Sequence, residues 1–232
     1  MTVLIRLATD LLNLLFPRLC NACGQSLVRG EKNICLRCLH DLPYTDYHLY
    51  ADNRAAKQLW GRLSCHAVMS MLYFKKGSRV QHLMHRLKYN GQMKLGLELG
   101  QLVGERLKQS PGFSDIDVVI PVPLHKRRER LRGYNQSKCI ADGIAECLDV
   151  HVLSNVLIKP FATGSQTRKG RFSRYENLKS AFQITDGFSI KNKHVLLVDD
   201  VMTTGATLEA CGLALYTAGI DKLSIATVAF TD

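Results

Sequence analysis

VLLVDDVMTTGAT, residues 195–207, is the stretch whose reading decides the fold. Val195 to Val198 form the short, unbroken apolar run expected of a strand buried on both faces of a parallel sheet. Thr207 to Ala218 follows with helical spacing and is stopped by Gly219. A strand that enters a helix through a short turn is half of a βαβ unit, and neighbouring segments supply more of the same. Asp117 to Val122 (DVVIPV) reads as another buried strand, Asn135 to about Leu148 as a helix, Val152 to Ile158 as a strand and Leu223 to Phe230 as a closing strand. Upstream, Ser64 to Phe74 alternates like a strand or hairpin, while Val80 to Tyr89 and Leu95 to Leu107 have the spacing of amphipathic helices. Strands alternating with helices over residues 115–232 predict an α/β, doubly wound parallel sheet.

In such a sheet, ligands bind beyond the carboxyl ends of the strands, where Asp199 and Asp200 stand. Two adjacent carboxylates are costly there unless a hydroxyl or a cation receives them. A sugar's vicinal diol is a good receiver, and bound magnesium could share it. Thr203, Thr204 and Thr207 offer hydroxyls, Gly205 lets the backbone approach closely, and a helix N-terminus favours an anion. A diol beside a monophosphate describes ribose 5-phosphate. The competing reading is an acidic strand end followed by an ordinary helix cap. A P-loop is excluded, because GxxxxGK[ST] is absent and the turn contains no lysine.

The 232-residue chain carries a formal net charge of +11, which suits an anionic partner: a phosphorylated metabolite, nucleic acid or a membrane surface. No segment is long and apolar enough to span a bilayer. Val3 to Phe16 has the spacing of an amphipathic helix; a signal peptide is the rival, but no small-residue cleavage site follows. Of eight cysteines, Cys65, Cys139, Cys147 and Cys211 read as small core residues. Cys20-x-x-Cys23 and Cys35-x-x-Cys38, separated by eleven residues, can converge four thiolates on one structural zinc. Disulfides and free thiols are the rivals; the first conflict with a reducing compartment. Residues 1–60 are thus expected to form a helix and zinc module, and residues 61–232 the α/β domain. Asp41 to Arg62 shows no clear period and reads as a linker; His82 and His85 read as solvent-facing.

VLLVDDVMTTGATL resembles the phosphoribosyl-diphosphate loop of type I phosphoribosyltransferases. LCNACG and CLRC, HRLKYNG, PVPLHKRRERLRGYNQS and QTRKGRFSRYENLKSAF together resemble the ComF/GntX-like family, in its order, from Cys20 onward. The resemblance implies a type I phosphoribosyltransferase-like sheet with a small N-terminal four-cysteine zinc module. It implies Asp199 and Asp200 as the catalytic pair, and Val201, Met202, Thr203, Thr204, Gly205, Ala206 and Thr207 as the phosphoribosyl-binding loop. Lys126, Arg127, Arg132 and Arg168 would bind diphosphate, with magnesium; Arg168 to Arg174 resembles a flexible closing loop. For the run from Lys126 to Arg130 a solvated helix face is an equal contender. The set Arg132-Gly133-Tyr134-Asn135-Gln136 could bind phosphate and stack a base, or Asn135 could simply cap a helix. Lys88-Tyr89 is a similar pairing, for binding or for packing.

Two features depart from the transferases: no hood segment that selects a base is identifiable, and no residue stands out as a general base. Three functions therefore compete: an active phosphoribosyltransferase, a single-stranded-DNA-handling competence protein, and a non-catalytic phosphoribosyl-diphosphate sensor. The resemblance further implies a cytoplasmic protein, at the inner face of the membrane where DNA enters, with single-stranded DNA and a DNA-uptake helicase as partners.

Overall fold

The computed structural model describes residues 16–89, 91–160 and 181–231. Two short helices, α1 (Leu36–Asp41) and α2 (Arg54–Lys57), precede strand β1 (Ala67–Phe74). Helices α3 (Arg79–Tyr89) and α4 (Met93–Lys108) lead to β2 (Val118–Pro121), α5 (Lys126–Arg132), α6 (Gln136–Leu148) and β3 (His151–Val152). Then come the small strands β4 (Leu157–Ile158) and β5 (Gln183–Ile184), followed by β6 (His194–Met202), α7 (Ala206–Thr217) and β7 (Lys222–Thr231). Five strands form one parallel sheet in the order β1-β7-β6-β2-β3.

The unbroken apolar runs are explained by burial on both faces. Along β6, Leu196 and Val198 join the core built with Leu83 and Leu87 of α3, Leu99 of α4 and Ile140 of α6. Val195 and Leu197 point the other way, into the core shared with Leu208 and Leu215 of α7. Each fully buried leucine contributes about 1.5–3 kcal/mol relative to exposure, so this double layer dominates the stability. On the first face α4 and α6 touch backbone to backbone: a Cβ at Gly100 would lie 2.1 Å from the Ile140 carbonyl oxygen, and one at Gly143 would lie 2.2 Å from that of Leu97. That close approach helps fix where the N-terminus of α6 reaches the sheet.

The strand order reverses between β2 and β6. From β2 the chain continues through α6 to β3 on one side, then returns to β6 on the other. A doubly wound sheet opens a crevice at such a point, beyond the carboxyl ends of the two strands. Asp199 lies at that end of β6, and Val122 follows β2, its N–H donating to the Val198 carbonyl at 2.8 Å.

Two expectations are corrected. Val152 to Ile158 is not one strand: β3 ends at Val152, and Leu157–Ile158 pairs antiparallel with β5 in a separate two-stranded sheet. The polar Ser154-Asn155 turn makes the break, and Thr185 N–H donates to the Val156 carbonyl at 2.9 Å to hold the new pairing. Asp41 to Arg62 is no loose linker. Leu42, Tyr47, Ala55, Ala56 and Leu59 are buried, and Tyr44 bridges antiparallel to Leu72 of β1. The Asn53 amide donates to the Val68 carbonyl at 2.8 Å. The segment covers the free edge of β1, a position that would otherwise invite pairing with another chain. Its period is unreadable because single side chains anchor it rather than a repeating face.

All of the expected Val3 to Phe16 helix except Phe16, and the loop from Ala162 to Arg174 with Arg168, lie outside the described residues. Among the described residues no helix is long and apolar enough to cross a membrane.

Candidate functional site

A cavity of about 800 Å³ opens at the crevice. Asp199, Asp200, Val201, Thr203 and Thr207 form its floor, from the end of β6 through the turn into α7. Gly205 takes φ +72 just before α7, a left-handed conformation that a side chain would strain. Arg62 braces this turn from behind: its Nη1 donates to the Thr204 carbonyl at 2.9 Å, and its guanidinium pairs with Glu209. Thr203, Thr204 and Thr207 are exposed, whereas Met202 is buried in the core and Gly205 is buried against Leu59.

The two carboxylates are held differently. Asp199 Oδ1 accepts the Ser137 hydroxyl at 2.9 Å and the Asp200 N–H at 2.8 Å. Burial, then the neighbouring Asp200 carboxylate, push Asp199 up to about 7, so the pair resists carrying two full charges without a cation. Asp200 is 4% exposed, and Lys88 Nζ lies 3.0 Å from its Oδ2. That approach is an ion pair by distance, but its angle is not that of a hydrogen bond, and Oδ2 has none. A buried carboxylate oxygen left this way is the kind of exception that calls for a ligand.

Among the described residues five cationic side chains, Lys88, Arg127, Arg128, Arg132 and Lys159, share the cavity wall with the two acids, a net positive set. Burial and then Arg128 draw Lys159 downward from its ordinary value. The run KRRERLR forms α5, which buries none of its residues. Arg127, Arg128 and Arg132 turn toward the cavity, while Lys126 is exposed and does not line it. Thr204, Gly205 and Ala206 do not line it either; their part is the shape of the turn.

Tyr134 corrects the expectation of a base-stacking ring in RGYNQ. It is buried, and its hydroxyl donates to the Leu87 carbonyl at the end of α3. Asn135 caps α6, accepting the Ser137 N–H at 3.0 Å. The exposed ring at the cavity is Tyr89, 4.8 Å from the His85 ring, with the Arg132 guanidinium 5.5 Å from its centroid. Ser137, Lys159 and Arg62 escaped the sequence reading, and Arg128 entered it only as part of the run from Lys126 to Arg130. They come from separate elements.

The second chemical cluster is the four cysteines. The sulfurs of Cys20, Cys23, Cys35 and Cys38 all lie within 4.8 Å of one another, and all four are free thiols. Tetrahedral Zn–S bonds of about 2.3 Å require S···S separations of about 3.8 Å, and Cys23 to Cys35 measures 3.9 Å. Burial opposes ionisation of Cys20, yet the N–H groups of Cys35, Cys23 and Ala22 overcome it and bring the thiol down to about 7. The cluster is compatible with a structural zinc. It is docked firmly: Glu98 of α4 accepts from Asn33 N and Nδ2 at 2.9 and 2.7 Å, and His82 of α3 meets the Ala22 carbonyl at 3.2 Å. His82 and His85 are both exposed, as expected, and neither belongs to the thiol cluster.

Residues 141–231 match the family model of the phosphoribosyl transferase domain. The chain is 28% identical over 194 residues to the DNA utilization protein YhgH of Shigella flexneri, covering 82% of this chain and 80% of that one. It is 29% identical over 147 residues to competence protein F of Haemophilus influenzae, covering 62% of this chain and 64% of that one. Among solved structures, the glutamine phosphoribosylpyrophosphate amidotransferase of B. subtilis complexed with ADP and GMP is 20% identical with a TM-score of 0.41. That match covers 57% of this chain and 25% of the amidotransferase, so the chain spans about a quarter of its length.

Proposed function

We propose that the chain is a ComF-like protein, akin to the competence and DNA utilization proteins it resembles, that binds phosphoribosyl diphosphate with magnesium and serves DNA uptake or utilization. The observation that carries the reading is Asp200 Oδ2, buried without a hydrogen bond on the floor of a cavity with five cations in its wall. Asp199 and Asp200 accept the ribose hydroxyls. The turn from Val201 to Thr207, with its threonine hydroxyls and the N-terminus of α7, takes the 5-phosphate. Arg127, Arg128, Arg132 and Lys159 face the diphosphate, and the sequence resemblance adds Arg168, which lies outside the described residues. Magnesium, when bound, neutralises the diphosphate and makes it a better leaving group. A nucleophile placed against ribose C1 would then complete a phosphoribosyltransferase.

The test is calorimetric titration with phosphoribosyl diphosphate, with and without magnesium. Magnesium-dependent binding that falls about 100-fold in Asp199→Asn and Asp200→Asn is expected, a loss of about 2.7 kcal/mol. No binding, or binding indifferent to both substitutions, sinks the reading.

A second reading, single-stranded DNA in place of transfer, is favoured by the exposed Tyr89 ring with His85 and Arg132 beside it. Its expected signature is oligonucleotide binding that weakens steeply with salt and with Tyr89→Ala, with a DNA-uptake helicase as a partner. For the cysteine cluster we propose one structural zinc, held by Cys20, Cys23, Cys35 and Cys38. Metal analysis should find about one zinc per chain.

A further inference from the structure

Lys88 has two unlike relations. Its ammonium is 27% exposed and lines the cavity beside Arg132, yet its nearest charge is the buried Asp200 carboxylate. The 3.0 Å approach lacks hydrogen-bond geometry, and among the described residues no hydrogen bond fixes the ammonium. Its backbone, by contrast, is immobilised. Leu83 and Leu87 of α3 are fully buried, and the Leu87 carbonyl is tied to the Tyr134 hydroxyl. Only a side chain with three donors and four rotatable carbons needs to move for Lys88 to change partner.

Resting on the proposed phosphoribosyl-diphosphate reading, we infer that Lys88 is a diphosphate ligand that Asp200 holds in reserve. In the ligand-free protein Lys88 is the counter-ion that makes a buried second carboxylate tolerable beside Asp199. When the ribose diol arrives at Asp200 with its accompanying cation, Oδ2 is taken and the ammonium is displaced. The nearest anion it can then meet is the diphosphate, which Arg127, Arg128 and Arg132 already face across the same cavity. The exchange couples the two halves of the ligand: occupation of the diol subsite releases the cation that the diphosphate subsite uses.

The experiment uses three ligands on the full chain. With phosphoribosyl diphosphate and magnesium, Lys88→Gln should weaken binding roughly tenfold, the scale of one charge-assisted hydrogen bond, and Lys88→Arg should recover most of it. With ribose 5-phosphate, which lacks the diphosphate, Lys88→Gln should change affinity less than about twofold. With inorganic diphosphate and no magnesium, Asp200→Asn frees Lys88 and should tighten binding several-fold. That gain should vanish in the double variant Asp200→Asn, Lys88→Gln. Equal losses on both ribosyl ligands, or a gain that persists in the double variant, overturn the inference and leave Lys88 a structural counter-ion. If the unaltered protein binds no phosphoribosyl diphosphate, the proposed function itself fails. If it binds and Lys88→Gln binds equally well, only this inference fails.

Discussion

The two ends of β6 carry polar clusters of opposite character. At the start of the strand, His194 is buried and completely partnered: Nδ1 meets Asp115 Oδ1 at 2.9 Å, Nε2 meets the Ser224 hydroxyl at 2.8 Å, and its N–H donates to Asp117 at 2.7 Å. Lys222 closes the set by donating to the second oxygen of Asp115 at 2.6 Å. At the far end, Asp200 is buried with an oxygen that accepts nothing, and the chain opens onto a cavity. Ser224, His194 and Asp115 have the order and spacing of a nucleophilic triad, but Ser224 is 0% exposed, so no substrate reaches it. Satisfaction, not residue type, separates the structural cluster from the functional one.

The largest expected effect breaks that contrast directly. His194→Ala removes a side chain that satisfies two others and should cost about 2–4 kcal/mol in urea unfolding, by leaving a cavity and a buried hydroxyl unpaired. Affinity for phosphoribosyl diphosphate should stay within about twofold. Asp200→Asn should do the reverse, weakening phosphoribosyl-diphosphate binding about 100-fold while leaving stability unchanged or raised by about 1 kcal/mol, because a buried like-charge contact disappears. If Asp200→Asn unfolds the protein and His194→Ala leaves it intact, the assignment of the two ends is wrong.

A smaller effect appears in pH. Burial is the main force drawing His194 below its ordinary value; the His66 ring, 5.1 Å away, and Lys222 add to it, while Asp115 opposes. The native imidazole is therefore neutral where the unfolded one binds a proton. The His194 contribution to stability is full above about pH 6.5 and declines as pH falls from there to the folded value, at up to about 1.4 kcal/mol per pH unit. Asp199, raised to about 7, works the other way as it takes up its proton in the folded state. Asp115, held at about 2 by Lys222 and His194, adds its own loss only below about pH 4. Unfolding free energies at pH 7, 6 and 5, compared between the unaltered protein and His194→Gln, isolate the His194 part: the variant should lose less stability as pH falls below about 6.5. A slope unchanged in that variant would assign the titration elsewhere.

The same contrast explains what the sequence made legible. Parallel strands buried on both faces announce themselves as unbroken apolar runs, so β2, β6 and β7 could be placed, and the acid pair stood out because it interrupts one of them. β4 and β5 are two residues each, too short for any period. Lys88 and Ser137 reach the acids from positions 112 and 62 residues away along the chain. No local pattern encodes such a meeting; the crevice at the strand-order reversal creates it. The exchange of Tyr134 for Tyr89 as the exposed ring was partly readable. With Leu83 and Leu87 facing inward on a helix, position 89 lies on the opposite side.

The smallest expected effect tests how rigid the functional end must be. Arg62 is 38% exposed, so its pair with Glu209 contributes little by itself, under about 1 kcal/mol. Its bond to the Thr204 carbonyl is a different matter, because that carbonyl belongs to the turn proposed to take the 5-phosphate. Arg62→Met keeps the apolar stem and removes both contacts, together with the bond to the Gln58 carbonyl. Stability should fall by less than about 1 kcal/mol, while affinity for ribose 5-phosphate should fall about threefold, a cost of roughly 0.65 kcal/mol for letting the turn loosen. An affinity that does not change would mean that Gly205 and the start of α7 hold the turn alone. The cradle would then be as self-sufficient as the cluster around His194, with Asp200 its one incomplete member.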